Sequence, residues 1–490
     1  MQDACFAQAI SRNRGAASDK AALLLIRDAE SLPPEFAVDV TLQIVVSSTS
    51  LAVHQQRSFL TSAFDKAALD QDDVARRPWG TSVEETSEGL HAIALSVGRL
   101  DRISQQSEAL QYMAKIDPKL AKARQEMIAL PRFDPPPCQA NWFYFPDAYY
   151  QAVDAMTRAG FSPKEISSGQ RGEVLKSVVG RVVSHSQLPP VTRLLRDSDL
   201  SRVELANLLS SYIYALDRLR GDPHSFYATN QNSVDEVVAL VARLDKQGIG
   251  VLPLVTSFRS YLVANFKTTP CGPFKTQDSG KLPAVVQKFN ETLSGPLRAA
   301  GLTGITREEI KNEAKDTLPS ESEPSRWESK EMSDLLLSLQ KLPDMTRENK
   351  SIEAKYREYL LRLNGWSNQT ETDTAFFHHK AMLYFGVIER LCPSSVRTSA
   401  LTDFVKFLEQ NSYQQVSKVD WFFYTRRLLD LGNKPADRSD IINALIGSSD
   451  PVLNLYGRLE SWKSGHKAAR PVSSTRFVPR RQINSRRDGL

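Results

Sequence analysis

The sequence is poor in the residues on which disulfide-stabilised and metal-binding proteins depend. Its 490 residues include four cysteines and seven histidines. Successive cysteines are more than 100 residues apart and no two form a CxxC pair, which argues against a disulfide framework or a zinc site. Free thiols in a reducing compartment fit this spacing better. So few histidines also offer little material for acid–base catalysis.

Signals for membranes and nucleotides are missing as well. No run of 18 apolar residues occurs, so we expect no membrane span, and residues 1–15 lack the charged-then-apolar pattern of an export signal. Neither GxGxxG nor GxSxG is present, and residues 272–282 (GPFKTQDSGKL) depart from a phosphate loop in their spacing and in the Leu282 that replaces a hydroxyl. The sequence therefore predicts no catalytic site and no cofactor, although an enzyme whose site is assembled only in space stays an open alternative.

The adjacent His378 and His379 do not indicate a metal site. On a helix their side chains would point about 100° apart, and neither has a His, Cys or acidic residue at the i+4 spacing of a shared ligand face. We expect one of them to pack in a core and the other to face solvent.

The composition is that of a globular protein whose charge is unevenly placed. Hydrophobic residues make up 41% and charged residues 24%, which argues against disorder of the whole chain, and the length predicts two to four domains. The formal net charge is +5. Residues 463–490 hold eight Lys or Arg and one Asp, whereas the other 462 residues hold 54 basic and 56 acidic side chains. The positive excess therefore lies at the C-terminal end, as expected for contact with a polyanion.

Helix signals dominate the sequence. A Ser or Thr followed three residues later by Glu can satisfy two free backbone N–H groups at a helix start, and this capping box occurs at Ser162/Glu165, Ser201/Glu204, Ser233/Glu236, Thr306/Glu309 and Ser325/Glu328. Apolar residues at 3.6 spacing predict helices over 201–220, 234–244 and 83–116. In the last of these, the residues expected to face inward are Leu90, Ile93, Val97, Leu100 and Ile103.

One segment has the period of a strand. Residues 36–46 (FAVDVTLQIVV) alternate in polarity and are rich in β-branched side chains, so we expect a minor β element there in a mainly α fold of multi-helix domains. Segments rich in Pro, Ser and Gly at 131–139, 267–283 and 315–326 indicate loops or linkers. The predicted divisions are a helical N-terminal region with one strand, a central helical core, a linker, a C-terminal helical region and a flexible basic tail (1–130, 131–314, 315–326, 327–462 and 463–490).

Two short segments concentrate aromatic residues, 141–150 (NWFYFPDAYY) and 420–430 (DWFFYTRRLLD). Aromatic side chains bury the most area per residue, which favours a core or a subunit interface for both segments. Base stacking on single-stranded nucleic acid is the alternative. It has more support in the second segment, where Arg426 and Arg427 could reach phosphate.

The basic tail is the strongest candidate for a functional surface. Arginine presents a planar fork of donors that matches phosphate oxygens two at a time, and Pro471 and Pro479 discourage a helix. We predict nucleic-acid contact by the tail and by the paired arginines of the second aromatic segment; the residues are Lys463, Lys467, Arg470, Arg476, Arg480, Arg481, Arg486, Arg487, Arg426 and Arg427. The alternative is a solubilising or targeting tail.

In its size, helical class, aromatic segments and Arg-rich end, the chain resembles RNA-virus capsid and nucleocapsid proteins. Two groups are similar in this gross design: the helical capsid proteins of small double-stranded RNA viruses such as partitiviruses, and the helical nucleoproteins of negative-strand RNA viruses. Capsid proteins of the first kind often carry their basic arm at the N-terminus, whereas residues 1–15 hold only Arg12 and Arg14 here. The resemblance implies a homo-oligomer that binds RNA in a virion and in host cytoplasm.

These observations together predict a structural, self-assembling, non-enzymatic protein that packages or coats viral RNA. Its expected partners are copies of itself and RNA, with no cofactor, metal or membrane. The alternative is a non-enzymatic helical adaptor or effector that binds a protein partner and uses the basic tail as a localisation signal. The first hypothesis predicts large oligomers that carry nuclease-sensitive RNA, and the second predicts a monomer or dimer with no affinity for RNA.

Overall fold

The computed structural model describes most of the chain, in segments separated by short gaps. The residues that it describes are 20–70, 75–76, 87–131, 142–222, 226–268, 282–311, 330–344, 349–367, 373–392, 394–431 and 435–467. The predicted linker 315–326, and most of the loops predicted at 131–139 and 267–283, lie outside these residues.

The fold is mainly α, as the sequence predicts. The helices of the first part are α1 (20–29), α2 (Pro34–Ser47), α3 (Val53–Ala67), α4 (Ser87–Gly98), α5 (Arg102–Ile116), α6 (Pro118–Gln125), α7 (Asp147–Ala159), α8 (Pro163–Ser167), α9 (Gln170–Gly180), α10 (Leu188–Asp197) and α11 (Arg202–Arg218). Those of the second part are α12 (Phe226–Lys246), α13 (Leu252–Thr268), α14 (Ala284–Thr292), α15 (Ser294–Ala299), α16 (Lys330–Lys341), α17 (Lys350–Gly365), α18 (Asp373–Arg390), α19 (Ser395–Gln410), α20 (Lys418–Leu431), α21 (Pro435–Ile446) and α22 (Pro451–Lys467). Two-residue strands β1 (Ala75–Arg76) and β2 (Trp142–Phe143) pair antiparallel.

The described helices build two hydrophobic cores. Core A is formed by α2, α3, α5–α7 and α9–α15. Core B is formed by α1, α2, α4 and α16–α22. Core B thus combines helices from the two ends of the described chain, and an ion pair of 2.6 Å between Asp28 of α1 and Arg458 of α22 joins them.

Helices of the predicted N-terminal region, 1–130, are divided between the two cores. Helices α3, α5 and α6 pack in core A, whereas α1 and α4 pack in core B with the C-terminal helices. Helix α2 supplies buried side chains to both. The predicted domain boundaries themselves stay a prediction.

The expected β element at 36–46 is wrong, because this segment is the helix α2. Phe36, Val40 and Ile44 lie in core B, while Val38 and Leu42 lie in core A. Each set has a spacing of four residues, so each follows one face of a helix. The two sets are offset by two residues, which is about 200° around the helix axis. Taken together, they place an apolar residue at every second position, as a strand does.

The helix predicted over 83–116 is two helices, α4 and α5. The chain turns between them at Arg99, which has a φ of 54°, and Asp101 then accepts a hydrogen bond from the Ser104 backbone N–H at 2.9 Å and caps α5. Because of this turn, Leu100 and Ile103 are buried but Val97 is exposed. The prediction that Val97 faces inward is therefore wrong.

Two of the predicted capping boxes start helices and one does not. Ser162/Glu165 starts α8 and Ser201/Glu204 starts α11, with both reciprocal hydrogen bonds formed. Thr306/Glu309 also forms its reciprocal bonds, ahead of a short 3-10 turn. Ser233 instead lies inside α12 and donates to the Thr229 carbonyl at 3.0 Å. The pair Ser325/Glu328 falls outside the described residues.

The aromatic side chains of these segments that the structure describes pack as the favoured interpretation predicts. Tyr144, Tyr149 and Tyr150 are buried in core A. The side chains of Trp421, Phe422, Phe423 and Tyr424 are buried in core B. Phe36 of α2 meets the Trp421 ring at 6.0 Å and the Phe422 ring at 5.7 Å, between centroids. Among the described residues, these aromatic side chains are therefore core residues, not exposed stacking surfaces.

Candidate functional site

The predicted nucleic-acid-binding residues fall into two groups. Six arginines of the tail, Arg470, Arg476, Arg480, Arg481, Arg486 and Arg487, lie outside the described residues. Lys467 ends α22, and its side chain is not described. The remaining three, Arg426, Arg427 and Lys463, are described, and each is engaged inside the fold.

Lys463 lies within α22 and not on a flexible tail. The residue is 8% exposed, and its amine donates to the Glu460 carboxylate at 2.6 Å and to the Gln43 side-chain oxygen. Burial lowers the pKa of Lys463 in spite of the opposing Glu460 charge. The amine is thus committed to internal partners and offers no exposed charge to phosphate.

Arg426 is held beside the buried carboxylate of Asp39. The nearest atoms of the two side chains are 3.8 Å apart, and the guanidinium also lies 6.0 Å from the centre of the Phe422 ring. Burial acts to lower the pKa of Arg426, but the attraction of Asp39 and other nearby negative groups outweighs it and raises the pKa. This partly buried arginine is a positive partner of α2.

Arg427 is more accessible, since its side chain is 36% exposed. Its guanidinium lies 4.4 Å from the centre of the Phe385 ring and 3.4 Å from a Glu389 oxygen. The ring holds one face of the guanidinium and the carboxylate neutralises its charge. A phosphate would have to compete with both.

A polar stripe on α2 contacts two of these basic residues, Arg426 and Lys463, and sequence reasoning missed it. Glu35, Asp39 and Gln43 repeat every four residues and are all buried. Lys418 pairs with Glu35, the Tyr456 hydroxyl donates to Asp39 at 2.5 Å, and Gln43 accepts from Lys463. Polar residues at every fourth position of an otherwise apolar segment were the available sequence signal for a buried helix.

A second buried polar group, Asp420, joins α20 to α4 and α18. His91 Nδ1 lies 3.0 Å from an Asp420 oxygen, and His378 Nε2 lies 3.4 Å from the same oxygen. Burial acts to raise the pKa of Asp420, but the neighbouring imidazoles of His378 and His91 outweigh it and lower the pKa to about 2. Asp420 therefore remains ionised and orients two imidazoles.

The expectation that one of the paired histidines faces solvent is wrong. His378 is fully buried and His379 is 6% exposed. His378 Nδ1 lies 3.2 Å from the Tyr424 hydroxyl, and that hydroxyl donates to the His378 carbonyl at 3.1 Å. Both rings belong to the packed interior, and Asp420 and Tyr424, which hold His378, lie far away in the sequence.

Two of the cavities on the described helices lie in core B. One, of 310 Å³, lies where Asp28 of α1 meets the start of α22, near Ser448 and Arg458. The other, of 220 Å³, lies between α17, α18 and α19 and is lined by Lys380, Tyr384 and Asp403. Neither is lined by Asp420 or its histidines.

No described group of three or more His, Cys, Asp or Glu side chains is arranged to bind a metal ion. Along the same part of the chain, no helix combines the length and the apolar character needed to span a bilayer.

Comparisons with known proteins leave the chain without an assigned relative. No protein-family model, no curated protein and no solved structure matches it.

Proposed function

We propose that this chain is a structural protein that assembles with copies of itself and packages or coats RNA in a virion and in the host cytoplasm. The contact with RNA is assigned to the arginines beyond α22. No catalytic step, cofactor, metal or membrane enters the proposal. The buried aromatic segments act as the core of the assembling body.

The observation that carries the proposal is the separation of charge at the end of α22. Residues 468–490 contain six of the 62 basic residues and one of the 57 acidic residues, so 1–467 contain 56 of each. The helical body is therefore charge-neutral, and the formal net charge of +5 belongs to the segment after it. A neutral body limits repulsion between copies, while arginines supply the attraction to phosphate.

The test compares RNA binding by the full chain with that of a variant lacking 468–490, which keeps all of α22. If six arginines neutralise about six phosphates, log K against log salt has a slope near −4 for single strands. The deletion is expected to bring that slope close to zero. A slope that the deletion leaves unchanged would contradict the tail assignment.

Replacing the six tail arginines by lysine is the matched control, because charge is kept and the planar fork is lost. The salt slope should persist in this variant and disappear when the same six become glutamine. Assembly is measured separately, by size-exclusion chromatography with absorbance at 260 and 280 nm before and after nuclease. Large particles that lose their 260 nm excess after nuclease treatment are the expected result.

A second candidate function is a non-enzymatic helical adaptor or effector whose tail is a localisation signal. The internal contacts of Arg426, Arg427 and Lys463 favour it, because these residues contribute no free basic face to the body. It predicts a monomer or dimer without bound RNA and no salt-dependent RNA affinity. A clean, RNA-free monomer at low salt would select it over packaging.

A further inference from the structure

Among the residues that the structure describes, two lysines are buried in core B, and their surroundings differ. Lys463 is 8% exposed and is bound to the Glu460 carboxylate. Lys380, on α18, is 7% exposed, and its hydrogen bonds go to two backbone carbonyls, Trp366 at 2.6 Å and Asn364 at 3.4 Å. In the described part of the chain, no carboxylate forms an ion pair with Lys380. Its ammonium form therefore lacks the full opposite charge that holds Lys463.

The two carbonyls belong to the end of α17, so Lys380 caps the negative end of that helix. The faces of Phe376 and Phe407 add weaker attraction, at 5.4 and 5.7 Å from the nitrogen to the ring centres. Burial lowers the pKa of Lys380, because carbonyl dipoles and ring faces do not fully replace the water that the cation has lost. More of this amine is neutral, and hence nucleophilic, than of an exposed lysine at the same pH.

Lys380 is one of the residues that line the cavity of 220 Å³. At about 30 Å³ for each water, it has room for a compound of a few carbon atoms. Asp403 and Asn364 line it together, with the Asn364 amide donating to an Asp403 oxygen at 2.9 Å, and Tyr384 donates its hydroxyl to the other end of that amide. The exposed Lys406 also lines the cavity and adds a positive charge. The cavity thus combines a buried amine, a carboxylate that can take a proton and a cation.

We propose that Lys380 and the surrounding cavity form a covalent binding site for a small 2-oxo acid, held by its carboxylate at Lys406 and by its carbonyl carbon at the Lys380 amine. The nitrogen lone pair forms a bond to the carbonyl carbon, and a nitrogen proton passes to Asp403, which returns it to the carbonyl oxygen. The carbonyl oxygen then leaves as water with the two hydrogens that the amine gives up. The product is an imine, and no atom changes its oxidation state overall, so no oxidant or reductant is needed.

The test uses the full chain and glyoxylate, with sodium cyanoborohydride added to convert any imine into a stable secondary amine. Peptide mapping by mass spectrometry then gives the labelling rate of each lysine at neutral pH. Lys380 is expected to be labelled several-fold faster than the exposed Lys406, and the buried Lys463 to remain unlabelled. Labelling of Lys406 ahead of Lys380 would overturn the proposal.

Lys463 is the decisive internal control. Burial lowers the pKa of both lysines, but Lys463 is bound to a carboxylate and does not line the cavity. Equal labelling of Lys380 and Lys463 would show that no site exists and that labelling reflects general opening of the core. The measurement is made on the natural sequence, so it decides the matter even if variants fold poorly.

Two substitutions separate the binding roles from a structural one. Lys380→Arg keeps a cation at the end of α17 and is expected to lose the label while retaining the helical circular dichroism of the natural chain. Lys406→Gln is expected to slow labelling by glyoxylate several-fold and to leave labelling by acetaldehyde, which has no carboxylate, unchanged. Equal slowing with both compounds would contradict the role of Lys406 in positioning the carboxylate.

Discussion

The two sides of α2 stabilise the protein in different ways. Towards core A, the helix presents Val38, Leu42 and Val45, which are apolar. Towards α20 and α22 of core B, it presents Phe36 and Val40 together with a stripe of polar residues. Apolar burial is non-directional, whereas hydrogen-bonded and charged partners must meet at fixed positions. The first side therefore supplies most of its stability through buried area, and the second also fixes how the helix lies.

Removing the N-terminal helices of core B should have the largest effect on folding. Residues 327–467 contain the C-terminal helices of core B but lack α1, α2 and α4. Because these three helices pack in the same core as its aromatic residues, we expect the fragment to lose cooperative unfolding, lose near-UV circular dichroism and bind a hydrophobic dye.

The chain 20–467 retains every described helix and is the control for this fragment. It should keep a sharp near-UV spectrum and a single unfolding transition. If 327–467 alone unfolded cooperatively with a stability equal to that of 20–467, core B would not depend on the N-terminal helices.

Two substitutions on α2 compare the cores directly. Phe36→Ala removes a ring from core B and should lower the free energy of unfolding by about 3–5 kcal/mol, while Leu42→Ala removes a smaller side chain from core A and should cost about 2–5 kcal/mol. Chemical denaturation gives both values. Hydrogen exchange read by mass spectrometry should show that each variant loosens helices of both cores, because α2 belongs to both. Loosening confined to one core would mean that the cores unfold independently.

Asp39→Ala tests the polar side of α2. The change removes the negative partner of Arg426 and the acceptor of the Tyr456 hydroxyl, so we expect a loss of about 3–5 kcal/mol in denaturant unfolding. Asp65→Ala is the matched control, because Asp65 pairs with Arg124 but is 51% exposed. That change should cost less than about 1 kcal/mol. Similar losses for both would show that burial of the α2 stripe adds nothing.

The smallest effect should come from the capping box at the start of α11. Hydrogen bonds from Arg171 and Ser201 lower the pKa of Glu204 to about 2, although burial acts in the opposite direction. In the unfolded chain, the pKa of Glu204 is near 4.5, so the residue is protonated more readily there. Its contribution is therefore complete above pH 4.5 and is lost as the pH falls towards 2.

Glu204→Gln should reduce stability at neutral pH by about 1.5–3 kcal/mol and flatten the fall in stability between pH 4.5 and 2. Glu165→Gln is the control on α8, since Glu165 forms the same box with Ser162 and an ion pair with Lys122 but is more exposed. Its effect should be smaller. Thermal unfolding across this pH range is the measurement. If both variants kept the pH dependence of the unsubstituted chain, the role assigned to Glu204 would be contradicted.

Elements with one buried face could be read from the sequence, and α11 is the example. Its apolar residues Leu205, Leu208, Tyr212 and Leu216 are buried, and the capping box at Ser201 marks its start. A helix that is half buried leaves a clear period of 3.6 because solvent accepts polar residues on its other side.

Elements enclosed on all sides could not be read in this way. In α2, apolar residues occupy two faces and polar residues a third, so the sequence does not show the 3.6-residue period of a helix with one apolar face. Contacts between distant parts of the chain were equally hidden: nothing near Arg426 in the sequence indicates Asp39, and nothing near His378 indicates His91. The basic residues were recognised as chemically capable of binding phosphate, but whether each is free or internally paired depends on these distant partners.

The enclosure of α2 has a consequence for how the protein can vary. All residues from Glu35 to Val45 are buried, so a substitution on any side of this helix disturbs packing. In a mutational scan, tolerance along α11 should rise and fall every three to four residues, as its exposed positions recur. Along α2 it should stay low without a period, and changes accepted there will have to suit both halves of the molecule at once.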